Sequence, residues 1–389
     1  MNYTVPVSPY RSETLQTISV WYGKWHGYIS LVICVIGIIL NLINIVVLTR
    51  KKMQTPINCI LTWLAVFDIA TMASYVPFAY HFYCRYSTFF ISSDKNSKSW
   101  MTFLLVYLNF SATTHTIAIW LAVALAILRH RHLHSPAKGS LTRMRRLIRA
   151  RVVVCIIVCV SILIMIPNYV IHKLEKLEYR NNTTMYVFED WNLGTQHTKP
   201  ITTIALIMYS VLAKILPSLL IMLYGGLLLR TLSKSMKVKR RLSEGGASLS
   251  YQRNRNPSRT TTMLLTVIVL FLVTELPQGI LILCSIFLDK FFEHIYIPLG
   301  DVMDILALIN NAINFVLYCT MSHEFRRTFV KLFCSCSVFG LSTGQFLPSP
   351  SKNNNSNDLS ISIKSVNQKP NSCLTLYTKT INGKGDSIL

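Results

Sequence analysis

Asp68, His115, Arg129, Lys214, Glu275, Asp301 and Asp304 stand in or beside the longest apolar stretches of a 389-residue chain. A charge in such a place is costly and persists where it is paired or used. Lys214 lies three residues before Pro217, and Glu275 lies two residues before Pro277. If both prolines kink helices at similar depth, the two charges meet, and an ion pair is expected. Such a pair serves either as a two-state latch or as a static tie that orients two helices. Asp301 and Asp304 are three residues apart and share one helical face. Glu189, Asp190 and Trp191 cluster in a polar segment, and Tyr75, Phe78 and His81 add aromatic surface. Together with His115 these residues offer charge and ring faces to a ligand, although surface solvation or packing explains any one of them equally well. No phosphate loop, paired-histidine metal motif or nucleophile elbow is present. Neither enzymatic activity nor a metal or cofactor is expected.

The elements that must position these residues are membrane spans. Apolar residues make up 51% of the chain and charged residues 14%, where a soluble protein carries roughly a quarter charged. Seven blocks are long enough to cross a hydrocarbon core, which takes about 20 helical residues. They lie near Tyr28–Thr49, Asn58–Tyr83, Trp100–Leu128, Arg151–Ile171, Ile201–Leu229, Thr261–Leu288 and Ile295–Met321. The blocks are continuous and do not alternate, which makes barrel strands a poor alternative. The expected fold is all-α: a seven-transmembrane helix bundle over 28–321, with an extracellular segment 1–27, a short amphipathic eighth helix over 322–336 and a disordered cytoplasmic tail 337–389.

Lys and Arg set the orientation. The connections 50–52, 129–151 and 230–259 hold twenty of them, against ten in 1–27, 84–99, 172–200 and 289–297. The N-terminus is therefore expected outside and the C-terminus inside, in the plasma membrane. The net charge of +23 reflects this topology rather than nucleic-acid binding. The sequons at Asn2, Asn181 and Asn182 then fall outside, where glycosylation is expected. No cleaved leader is expected, because Met1 to Trp25 lacks a charged-then-apolar pattern with a small-residue cleavage site. In the eighth helix Phe325, Phe329, Leu332 and Phe333 recur at helical spacing beside Arg326, Arg327 and Lys331, as in a helix lying on a membrane surface. Cys334 and Cys336 follow it as palmitoylation candidates. Most of the other cysteines lie in apolar blocks as small hydrophobes. Cys84 has no internal partner and is either free or intermolecular. The ending Ser387-Ile388-Leu389 has the form of a PDZ ligand.

From Gly27 to Phe333 the chain resembles the rhodopsin-like receptors. Helix 1 has Gly37 and Asn41, and helix 2 has Leu64-Ala65 with Asp68. Helix 3 ends Leu128-Arg129-His130, with Pro136 seven residues after the arginine. Helix 6 has Phe271 and Thr274-Glu275-Leu-Pro277-Gln-Gly279-Ile, and helix 7 has Asn314-Phe-Val-Leu-Tyr318. The resemblance implies a polar network joining Asp68 to Asn310, Asn311 and Asn314. It also implies an inward Arg129 that meets a heterotrimeric G protein, of Gi/o type, with arrestin as a further partner. Leu128 stands where the family has an acid, so the ionic restraint on Arg129 is missing and raised basal activity is expected. Ala118 stands where a hydroxyl helps to hold sodium. Leu128, Glu275 and Phe315 depart from the family pattern in the way the invertebrate FMRFamide and myosuppressin receptor branch does, and nematode srw-type receptors resemble that branch. The disulfide between helix 3 and the second extracellular loop is absent at both ends: Leu104 stands near one position, and 172–200 holds no cysteine. Packing and polar contacts must hold that cap.

The branch implies an extracellular neuropeptide of RFamide type. Such a peptide ends in a cationic arginine and an aromatic amide, which suit Asp301, Asp304 and the aromatic residues named above. A small-molecule chemoreceptor is the first alternative. A transporter, the alternative of another class, would show internal repeats and broken midplane helices, and no repeat relates the two halves.

Overall fold

The computed structural model describes residues 12–86, 91–134, 139–179, 183–190, 193, 195, 197–244 and 257–334. Asn2, Asn181, Asn182, Trp191, Pro136, Cys336 and the Ser387-Ile388-Leu389 ending lie outside the described residues, as do the side chain of Cys334 and the tail from 337. Among the described residues seven helices are long and apolar enough to cross a bilayer.

Helix α1 runs Glu13–Leu48, started by the Ser12 hydroxyl, which accepts from the Leu15 amide. It begins fifteen residues before the first apolar block expected from hydropathy. Its buried residues recur at helical spacing and, up to the last turn with Val47 and Leu48, are small or polar: Gly23, His26, Gly27, Ser30, Cys34, Gly37, Asn41 and Asn44. Trp21, Trp25, Val32, Ile36 and Ile39 face outward. This inverts a soluble amphipathic helix. In lipid the greasy residues lose nothing by pointing out, and small ones let backbones approach. Gly37 is one such place, since a Cβ there would sit 2.5 Å from Met72 Sδ.

Helix α2 runs Pro56–Ala79, capped by Thr55 with Pro56 in its first turn, and continues as a π turn over Tyr80–Arg85. Helix α3 is Lys98–His134 and α4 is Ser140–Ile171. Strands β1 (Leu174–Tyr179) and β2 (Thr183–Phe188) form an antiparallel hairpin pairing Leu174 with Phe188. Periodicity in a polar loop did not reveal this pairing. Helix α5 starts as Pro200–Met208, widens to a π turn over Tyr209–Ile215 and resumes as Leu216–Glu244. Helix α6 is Pro257–Phe287. Helix α7 follows a π turn at Phe292–Tyr296 and is broken into Ile297–Ala312 and Asn314–Met321. The break at Ile313 comes two residues before Phe315, which stands where the family pattern has a proline. Helix α8, His323–Phe329, is capped by Ser322 and ends in a π turn at Val330–Cys334. Its Phe325 is buried against Tyr318 and Phe315.

The seven cysteines Cys34, Cys59, Cys84, Cys155, Cys159, Cys284 and Cys319 are all free. The hairpin is tied instead by Asn96. Its carbonyl accepts from the Tyr186 amide at 3.0 Å, and its side-chain amide donates to the Tyr186 carbonyl at 3.2 Å.

Candidate functional site

Lys214 and Glu275 meet in the middle of the bundle. Lys214 Nζ donates to Glu275 Oε2 at 2.7 Å, and both side chains are buried. Two features of the backbone bring them together. The π turn of α5 carries Lys214, and an inserted residue of this kind re-aims the side chains around it. Gly279 in α6 lets the helices close, because a Cβ there would lie 2.9 Å from both Lys214 Cβ and Ile215 Cγ1. The Ser210 hydroxyl donates to the Gly279 carbonyl at 2.7 Å, tying the π turn to α6 just past Pro277. The same carboxylate oxygen accepts from His115 Nε2 at 3.1 Å. His115, expected from sequence among the ligand contacts, is thus the third member of this cluster and joins α3 to it. The Thr274 hydroxyl reaches Glu275 Oε1 at 3.3 Å, and the Trp120 indole donates to the Leu212 carbonyl inside the π turn. A carboxylate with this many donors is satisfied without water, the condition for keeping a charge in low dielectric.

A second cluster fills the space between α1, α2, α3 and α7. Tyr83 donates to Asp301 at 2.6 Å. His26 Nε2 lies 2.7 Å from the Tyr75 hydroxyl and 4.0 Å from Asp301. Phe78 stacks on Tyr107 with ring centroids 4.5 Å apart, and Tyr75 meets both rings edge-on. Asp304, one turn below Asp301, is half-buried. Among the described residues it makes no hydrogen bond or ion pair. It lies within electrostatic reach of the Tyr75, Tyr83 and Tyr107 hydroxyls and of Lys214. The two clusters are therefore within electrostatic reach of each other through Asp304 and Lys214.

His26, Tyr83 and Tyr107 were missed by sequence reasoning. His26 lies outside the apolar block and is fully buried. The signal that could have found it is the small and polar stripe of α1, which extends back to Gly23. His81 is placed elsewhere than expected. It stacks on Trp100 at 3.7 Å and its Nε2 lies 3.2 Å from the Lys95 carbonyl, under the first loop and apart from the acidic pair. Glu189 follows the hairpin and is paired with Lys199, whose ammonium holds its carboxyl below the usual carboxylate range. Asp190 is exposed beside it.

Toward the opposite end, Asn314 donates to Asp68 at 2.7 Å. Asn41 donates to the Asn311 carbonyl at 3.0 Å. Asn310 is buried but makes no hydrogen bond to Asp68, so the network is narrower than expected, with Asn314 the asparagine of α7 that reaches the carboxylate. Arg129 lines a cavity of about 60 Å³ with Phe271, Asn314 and Tyr318. No ion pair restrains it among the described residues, in keeping with Leu128 in the preceding position.

The model of the family described as serpentine type 7TM GPCR chemoreceptor Srw matches residues 28–336. The chain is 28% identical over 375 residues to the G-protein coupled receptor dmsr-1 of Caenorhabditis elegans, covering 86% of this chain and 73% of that one. It is 26% identical over 334 residues to the sex peptide receptor-related protein 2 of the same animal, covering 79% and 71%. To the FMRFamide receptor of Drosophila melanogaster it is 22% identical over 334 residues, covering 79% and 53%.

Proposed function

The chain belongs to the serpentine seven-transmembrane GPCR chemoreceptor family Srw, and on that premise we propose that it is a receptor for an extracellular RFamide-type peptide that signals through a heterotrimeric G protein. The observation that carries the ligand class is Asp304. A half-buried carboxylate without a hydrogen-bonding partner, set among tyrosines, is a site for a cation. An arginine guanidinium supplies two parallel donors and a flat face for the rings. The half-buried ring of Phe78 lies in the same cluster for the aromatic amide. Three of the similar proteins point the same way by name: two to a peptide or RFamide receptor, and one to a G-protein-coupled receptor.

Asp304 also couples the ligand to the rest of the bundle. A second cation placed there acts on Lys214, already within electrostatic reach, and shifts the balance of the Lys214–Glu275 pair. Helices α5 and α6 then move about the π turn and Pro277, opening the cavity around Arg129 to the G protein. The bundle is oriented with its N-terminus outside, as the distribution of Lys and Arg supports.

The test is a second-messenger assay on intact cells with a panel of amidated peptides ending in Arg-Phe. Asp304→Asn removes a charge-assisted contact of about 1.5–3 kcal/mol and is expected to raise the half-maximal concentration about ten- to hundredfold at unchanged surface expression. Asp301→Asn has a smaller effect, because Tyr83 already occupies that carboxylate. Silence toward every amidated peptide, or unchanged potency in Asp304→Asn, overturns the ligand class.

A further inference from the structure

We propose that the cleft between the α2, α3 and α4 ends is a binding site for the headgroup of a polyphosphorylated membrane phospholipid. The cleft has a volume of about 1360 Å³. Its lining brings together Lys51, Arg131, Arg143, Arg146, Arg149 and Arg151, and no Asp or Glu lines it. Positive topology alone places basic residues near a membrane face, but it does not gather six around one concavity. Arg143 is held at the mouth, with its guanidinium donating to the Gln54 carbonyl at 2.9 Å, so part of the array is pre-organised.

The occupant follows from the wall of the cleft. Met144, Ile148 and Val152 recur every four residues along α4, all exposed and all lining the cleft. A basic pocket whose one side continues into a lipid-facing apolar stripe fits a molecule with a polyanionic head and acyl chains. A soluble acidic protein segment has no use for that stripe. The cavity holding Arg129 shares no lining residue with this cleft, so G-protein engagement at Arg129 and lipid binding here are separate events. The site rests on the proposed orientation only for its assignment to the cytoplasmic leaflet, where anionic headgroups attract basic clusters.

The full-length receptor in detergent is titrated with phosphatidylinositol 4,5-bisphosphate, with phosphatidylserine and with soluble inositol 1,4,5-trisphosphate, and bound species are counted by native mass spectrometry. Both faces are accessible in a micelle, so the outcome is independent of membrane orientation and of any peptide response. The expected result is one bound bisphosphate lipid at concentrations where phosphatidylserine and the soluble headgroup do not bind. Each arginine removed should weaken it roughly fivefold, so R146Q/R149Q loses it about 25-fold while R146K/R149K retains it. The pair R326Q/R327Q, on α8, should leave it unchanged. Equal binding of the soluble headgroup, equal binding of phosphatidylserine, or equal loss in R326Q/R327Q each overturns the proposal. If R146Q/R149Q fails to fold, I148N, which interrupts only the apolar stripe, must weaken the lipid and not the thermal midpoint; unchanged lipid binding in I148N also overturns it.

Discussion

At the scale of single residues, the buried charges are where most is at stake. Glu275 takes donors from α3 and α5 in one carboxylate, so removing it strands Lys214 in the core. Glu275→Gln is expected to cost about 3–5 kcal/mol, as breaking a buried pair does, and to lower the thermal midpoint of the purified receptor. Lys214→Met added to it should recover most of the loss, because two neutral groups remain. The reversed pair Lys214→Glu with Glu275→Lys should regain surface expression that each single reversal loses; no recovery in either double variant would show that the contact carries no energy of its own. Arg129 is the opposite case, a charge without an ionic restraint. Unstimulated second-messenger levels in transfected cells are expected to exceed those of mock-transfected cells, and Leu128→Asp should lower them. Equal levels in receptor and mock cells would count against an unrestrained arginine.

At the scale of elements, one departure from regular helix geometry organises the packing of α5 against α6. The π turn at Tyr209–Ile215 aims Lys214 inward, and the hydroxyl of Ser210 fastens that turn to Gly279 on α6. Close approach there requires glycine. Gly279→Val would force a Cβ into contact with Lys214 and Ile215 at 2.9 Å, an overpacking that costs about 1–3 kcal/mol and should lower the thermal midpoint. Gly300→Val, whose Cβ meets nothing within 4 Å, is the matched control. A midpoint that moves equally in both would mean that the α5–α6 approach is not tightly specified. The hairpin shows the same economy. A reciprocal pair of hydrogen bonds between Asn96 and Tyr186 fixes the cap from the start of α3, where a covalent bond is absent.

At the scale of the whole molecule, the two clusters lie within electrostatic reach of each other through Asp304 and Lys214. One reaches α1 and α2 through His26 and Tyr83, and the other reaches α3 and α6 through His115 and Glu275. Six helices, α1, α2, α3, α5, α6 and α7, contribute side chains to the two clusters, so coupling between them needs no single wire. The proposed peptide site requires the acidic end to face outward. An epitope added to the N-terminus should be stained on intact cells without permeabilisation, and one added to the C-terminus only after it. The reverse pattern would turn every pocket and coupling surface toward the wrong compartment.

The number and rough limits of the membrane helices were legible in the sequence, because long apolar blocks have one stable form in lipid. So was the prospect that Lys214 and Glu275 meet, since an unpaired charge at that depth is too costly to leave and both stand just before a proline. What periodicity could not supply was direction. The π turn that aims Lys214, the inward face of His26, the bond between His115 and Glu275, the stacking of His81 on Trp100, and the hydrogen bond to Asp68 from Asn314 rather than Asn310 each depend on which neighbouring helix lies opposite. Helices in lipid are not turned by hydrophobicity, because every face is greasy enough. Their rotation is set by close packing at small residues and by the pairing of polar groups, and those partners are fixed only when the whole bundle is assembled.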